Sequence, residues 1–186
     1  MTKQSIFVIA LLLAVISVNL RSQELDTQLA LTAIKTEQFK IIGSAKFTVL
    51  FWDIYESQLL TTSGKFPVNA KQEKVLFEIN YLRDIRAQEL IERTIEQWQH
   101  IGLETKDYQH YVPQLARLWP DISRGDKLSL LIEGSRSSFY FNDQHIGDIV
   151  HDRFGQQFID IWLSPNTSEP TLRRKLLGEV KNESLI

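Results

Sequence analysis

The chain has no cysteine, which excludes disulfide scaffolds, thiolate-held zinc, iron–sulfur clusters, thiol nucleophiles and a lipidated cysteine behind a leader. Proline and glycine are scarce, 5 and 8 among 186 residues, so collagen-like and low-complexity organisations are excluded too. The glycines stand singly. Neither GxGxxG nor GxxxxGK occurs, leaving no loop built to cradle phosphates. No GxSxG occurs, and the best serine context, Gly134-Ser135, falls in an expected hairpin loop, so a serine hydrolase has no support. Neither sign of charge dominates, with 21 Lys and Arg against 23 Asp and Glu. That balance offers no field for a phosphate backbone, and nucleic acid is not an expected partner.

Hydrophobic residues make up 43% of the chain, enough for one domain with its own core. The apolar run from Ile6 to Ile16 behind Lys3 has the length of a secretory signal, whereas a bilayer-spanning helix needs about 20 such residues. Residues 1–22 therefore read as a signal peptide cut near Ser22, and 23–186 as a single domain. Export to the periplasm or beyond the cell is expected, with no membrane span left after removal. An uncleaved inner-membrane anchor is the alternative, because Val15-x-Ser17 and Leu20-x-Ser22 only approximate the small-x-small pattern. Cutting at Ser22 removes Lys3 and Arg21 and leaves 19 basic against 23 acidic residues.

Phe47 to Tyr55 is β-branched and aromatic on both alternating faces, the expectation for one central strand covered on two sides. Val75, Phe77, Ile79 and Tyr81 alternate with Leu76, Glu78, Asn80 and Leu82 as a half-buried strand. Asp84 is placed to cap a helix running to Ile101, with Ala87, Ile91, Ile95 and Trp98 on one face and Gly102 as its stop. Tyr108 to Trp119 repeats helically, but Pro113 must kink that helix or begin another. Leu128 to Ile132, Phe139 to Phe141 and Ile146 to Ile149 read as a meander turned at Asn142-Asp143. Phe154, Phe158, Ile161 and Trp162 form another helical stripe, and Ser168 starts a last helix ended by Gly178. Strands, helices, strands, helices make an α+β domain; Thr61 to Gln72 is its loosest internal loop.

The residues with chemistry are few. His145, Asp148, His151 and Asp152 cluster in sequence without helical metal-ligand spacing, so no metal site is expected and no cofactor is implied. Arg86 and Arg93, nearly two helical turns apart, flank the Ala87, Ile91, Trp98 face. They are either a solvated edge, with Glu89 pairing Arg93 four residues on, or cations at the rim of an apolar cleft facing an anionic group. Lys46 beside Thr48 allows the same two readings, the plain one being an edge lysine that blocks strand aggregation. Trp52, Tyr55, Tyr81, Trp98 and Trp162 are core aromatics by default.

Several blocks in order resemble the chalcone isomerase-like family, especially its exported bacterial branch. They are Gly43 with Phe51-Trp52-Asp53-Ile54-Tyr55; Tyr81-Leu82-Arg83-Asp84; Trp119-Pro120-Asp121-Ile122 with Gly125-Asp126; Phe139-Tyr140-Phe141-Asn142 with Gly147; and Phe158 to Thr167 with Leu172-Arg173 and Leu176-Leu177-Gly178. The resemblance, from Ile41 to Gly178, implies an open-faced β-sandwich, a long antiparallel sheet with helices on one face and a ligand cleft between them. It also implies positions for the catalytic side chains of the plant enzymes. The arginine falls at Ala45 or Lys46, the threonine at Leu50, the cleft tyrosine and asparagine at Arg86 and Arg93, and a further hydroxyl near Gly155. None is retained, so flavanone formation is not expected. The noncatalytic fatty-acid-binding branch also uses an arginine on that first strand, which is replaced or lost here.

Three functions fit. The first is a noncatalytic binder of a lipophilic, fatty-acid-like or anionic small molecule, with Lys46, Thr48, Leu50, Trp52, Tyr55, Tyr81, Arg86, Arg93 and Trp98 as candidate ligand contacts. The second is an isomerase or lyase on another substrate, using Lys46, Arg86 or Tyr55. The third is an envelope interaction module whose cleft is filled by side chains such as Leu50 and Trp52. An open apolar cavity of about 300 Å³ or more separates the first from the third.

Overall fold

The computed structural model describes residues 38–68 and 73–180; the expected leader at 1–22 and residues 69–72 of the expected loop lie outside them. The elements are β1 (Lys40–Val49), β2 (Trp52–Thr61), β3 (Val75–Tyr81), α1 (Ala87–His100), α2 (Thr105–Tyr108), α3 (Val112–Leu118), β4 (Lys127–Glu133), β5 (Arg136–Phe141), β6 (Gln144–Val150), α4 (Phe154–Leu163) and α5 (Pro170–Leu176). The strands form one antiparallel sheet in chain order from β1 to β6.

Strand alternation places Phe77, Ile79 and Tyr81 of β3, Leu128 and Leu130 of β4 and Phe139 of β5 on one face, where they join a core with Trp98, Tyr111, Leu115, Phe154 and Phe158 from the helices. Lys46, Glu56, Gln58, Glu78 and Lys127 alternate to the other face. The helices close on the first face through specific contacts. The Trp98 indole N–H donates to the Gln157 carbonyl at 2.9 Å, joining α1 to α4. At Gly43 any Cβ would lie 2.2 Å from the Lys175 carbonyl oxygen, so the end of α5 can approach β1 only over a glycine.

Two expected strand roles are exchanged. Phe47 to Tyr55 is not one central strand but parts of two, joined by a tight turn at Leu50-Phe51, and β1 is a sheet edge. The 75–81 segment, expected to be half-buried, is internal and has Leu76 fully inaccessible on its second face. An all-apolar run marks a buried strand only when no turn interrupts it, and this turn uses none of the usual turn residues. The cap of α1 also differs. Asp84 accepts from the Arg124 backbone N–H at 2.8 Å, Arg86 occupies the N-cap position, and the Ala87 N–H is satisfied by Asp121 at 2.8 Å from 34 residues away. Pro113 begins a new helix in the first turn of α3. Gly102, at φ +92°, follows the end of α1.

An apolar cleft between the sheet and the helices

Between β1–β5 and the helices α1 and α4 lies a cleft of about 490 Å³. Its floor is Phe77, Ile79, Leu128, Leu130 and Phe139 from the sheet; its roof is Leu90 and Thr94 of α1 with Phe158, Ile161 and Trp162 of α4. The rim includes Val49, Leu50 and Trp52 from the first hairpin, and Arg83, Asp84, Glu89 and Arg93.

Polar groups in this wall are sparse. The Trp162 indole N–H donates to the Tyr55 hydroxyl at 2.9 Å. Burial pushes the Tyr55 and Tyr81 phenols well above the ordinary range near 10, because a phenolate would lose its water. Both stay neutral and can act as donors but not as bases at physiological pH. Thr94 is spent on its own helix, donating to the Leu90 carbonyl at 2.8 Å. Trp119, at the end of α3, lines the cleft, yet its buried indole N–H finds no partner among the described residues.

Of the residues singled out in the sequence, Leu50, Trp52, Tyr55, Tyr81 and Arg93 line the cleft, whereas Lys46, Thr48, Arg86 and Trp98 do not. Lys46 stands opposite Glu56 on the far face of β1, 3.1 Å from Asp53 and 3.2 Å from Glu56. Thr48 donates to Asp53 at 2.7 Å. This Thr48 bond, then that of Lys46, holds the Asp53 carboxyl below its usual range, while Asp53 and Glu56 raise the lysine. The cleft side of β1 carries Ala45 and Phe47, so no cation projects from that strand into the cleft. Arg93 pairs with Glu96 at 2.8 Å rather than with Glu89. Trp98 is inaccessible core. Leu50 and Trp52 do not fill the cleft; they are 85% and 69% exposed at its rim. Gly155 is buried, and a Cβ there would strike Ile132 and Ser137 at 2.8 and 2.9 Å.

Sequence reasoning missed Trp119 as a wall residue. Its signal was the family block that contains it, and nothing in its spacing set the indole N–H apart. Among the described residues no group of three or more His, Asp or Glu is placed to hold a metal ion. His145 and Asp148 pair with each other at 2.7 Å, while His151 turns to the Tyr111 hydroxyl at 2.8 Å. No helix among the described residues is long and apolar enough to cross a membrane.

Residues 22–178 match the family model described as chalcone isomerase-like. The chain belongs to the chalcone isomerase-like family. A Haemophilus influenzae protein is 26% identical over 141 residues, covering 76% of this chain and 69% of its own length. Among solved structures, a fatty-acid binding protein of Arabidopsis thaliana superposes with a TM-score of 0.60 at 12% identity, covering 80% of this chain and 90% of its own. At that identity the likeness establishes the fold: an α+β chalcone isomerase-like architecture, with an open antiparallel sheet and its helices.

Proposed function

We propose that this chalcone isomerase-like chain is a noncatalytic, exported protein that binds a lipophilic, anionic small molecule in the cleft between sheet and helices. The observation that carries the reading is the cleft itself. About 490 Å³ of space is walled by Phe, Ile and Leu, within the range of about 300–1,000 Å³ typical of small-molecule sites. The filled-cleft interaction module is disfavoured by the same space. Burying a methylene contributes about 0.8 kcal/mol, so a ten-carbon chain supplies about 8 kcal/mol and dominates affinity. Tyr81 and the rim cation Arg93 are the candidate polar contacts. The fold shared with a fatty-acid binding protein supports the same ligand class, and the Ile6 to Ile16 run supports export.

An isomerase is the second reading, favoured by the two neutral phenols in the cleft wall, which could donate to an enolate oxygen. No imidazole lines the cleft, and its wall carboxylates, Asp84, Glu89 and Glu169, line it with Arg83 and Arg93 near its edge. Binding therefore remains the better account.

The test is displacement of a dansyl-labelled fatty acid, measured on the wild type and on Leu90→Trp/Thr94→Phe, which narrows the cleft from α1. Saturable wild-type binding, weakened at least about tenfold in a variant that still melts cooperatively, supports the reading. Absence of saturable binding by the wild type to fatty acids of every chain length overturns it.

A further inference from the structure

The β1–β2 hairpin ends in four consecutive apolar residues, and they are exposed: Val49 by 45%, Leu50 by 85%, Phe51 by 96% and Trp52 by 69%. Folding does not require them. Val49 faces Trp52, so Leu50-Phe51 is a two-residue loop, and Leu50 holds a left-handed backbone at φ +57°, where glycine or asparagine is favoured. The same sheet shows the ordinary solution at its other end. Asn142-Asp143, between β5 and β6, has φ +48° and +67° and uses polar residues that tolerate that conformation. At Leu50 a large hydrophobe holds a backbone conformation that disfavours it, and Phe51 beside it is almost wholly exposed, with no described neighbour covering either.

We infer that the 49–52 tip is a membrane-docking element that seats the mouth of the cleft on a phospholipid bilayer, so that the lipophile passes between bilayer and cleft without crossing water. Val49, Leu50 and Trp52 are themselves part of the cleft rim, so the exposed apolar surface and the apolar cleft are continuous. A bilayer interface accepts such a wedge: Phe and Leu enter the acyl boundary and Trp prefers the headgroup level. The charges around the mouth also fit. Arg83 and Arg93 line the cleft together with Asp84, Glu89 and Glu169, and Arg93 is paired with Glu96. Two cations against three anions match a zwitterionic surface better than a strongly anionic one. Docking is therefore driven by apolar insertion and is only weakly sensitive to salt.

The choice of a bilayer as partner rests on the cleft being a lipophile site, and the test separates the two claims. The wild type and Phe51→Asp, with Phe51→Gly as a turn-compatible control, are floated with phosphatidylcholine vesicles. In parallel, binding of a dansyl-labelled fatty acid is measured without vesicles; Phe51 does not line the cleft. The expected result is that the wild type floats at low and high salt, both variants partition at least about tenfold less, and both bind the probe as the wild type does. A wild type that binds the probe but stays with the soluble fraction overturns the docking inference and leaves the binder standing. So does a wild type that sediments as a dimer which Phe51→Asp dissolves, since the tip would then serve a second copy. A wild type that floats through the tip yet never binds the probe supports docking and overturns the cleft reading instead.

Discussion

The Trp162 indole N–H donates to the Tyr55 hydroxyl at 2.9 Å across 107 residues of chain, bracing α4 against β2 along one wall of the cleft. Tyr55 also packs its ring 5.1 Å from Phe47 and 6.2 Å from Tyr81, so one side chain joins three strands and a helix. In Tyr55→Phe the ring contacts survive and the indole N–H loses its acceptor. Thermal or denaturant unfolding is expected to register a loss of about 1 kcal/mol. In a double-mutant cycle with Trp162→Phe the combined loss falls short of the sum of the single losses.

Arg86 and Arg93 separate by position. Arg93 is on the cleft rim and Arg86 is not, so Arg93→Ala weakens binding of an anionic lipid by about two- to fivefold, the scale of an exposed cation. Arg86→Ala leaves binding unchanged. Titration of each variant with a fatty acid and with its methyl ester checks this, because the ester removes the charge and with it the Arg93 effect.

Asp160 sits in the last turn of α4, where burial raises its carboxyl above the usual range even though Gln156 donates to it at 2.7 Å. A carboxylate near a helix C-terminus is also disfavoured by the helix dipole. An acid whose folded-state pKa is raised costs stability once both states are ionised, and the cost disappears below its ordinary value of 3.8. Asp160→Asn is therefore expected to melt higher than the wild type at pH 7, with the difference vanishing as the pH falls below 3.8. Melting curves across that range decide it.

The meander from β4 to β6 was legible because its turn carries Asn142-Asp143, residues that suit positive φ. The face of α1 was legible from Ile91 and Trp98, both buried, and the α+β order followed from the change of hydrophobic period. The first hairpin was not legible, since Leu50-Phe51 carries no turn chemistry and the run on either side is equally apolar. The α1 cap was beyond local reasoning because Asp121 supplies it from 34 residues away. At the site, the aromatic wall could be read in part from Tyr55 and Tyr81. Whether Lys46 or Ala45 faces the cleft depended on strand parity, which a single misplaced turn hides; once the Lys46–Glu56 pairing fixes the register, the lysine points away.

The central claim is that the cleft holds a lipophile, and native mass spectrometry of the full chain purified from its own cells tests it most directly. The account predicts a fraction of protein carrying a discrete mass increment that organic extraction identifies as a lipophilic acid. It also predicts that the increment is lost in Leu90→Trp/Thr94→Phe. A wild type that carries no adduct, and gains none after incubation with fatty acids across a range of chain lengths, would contradict it.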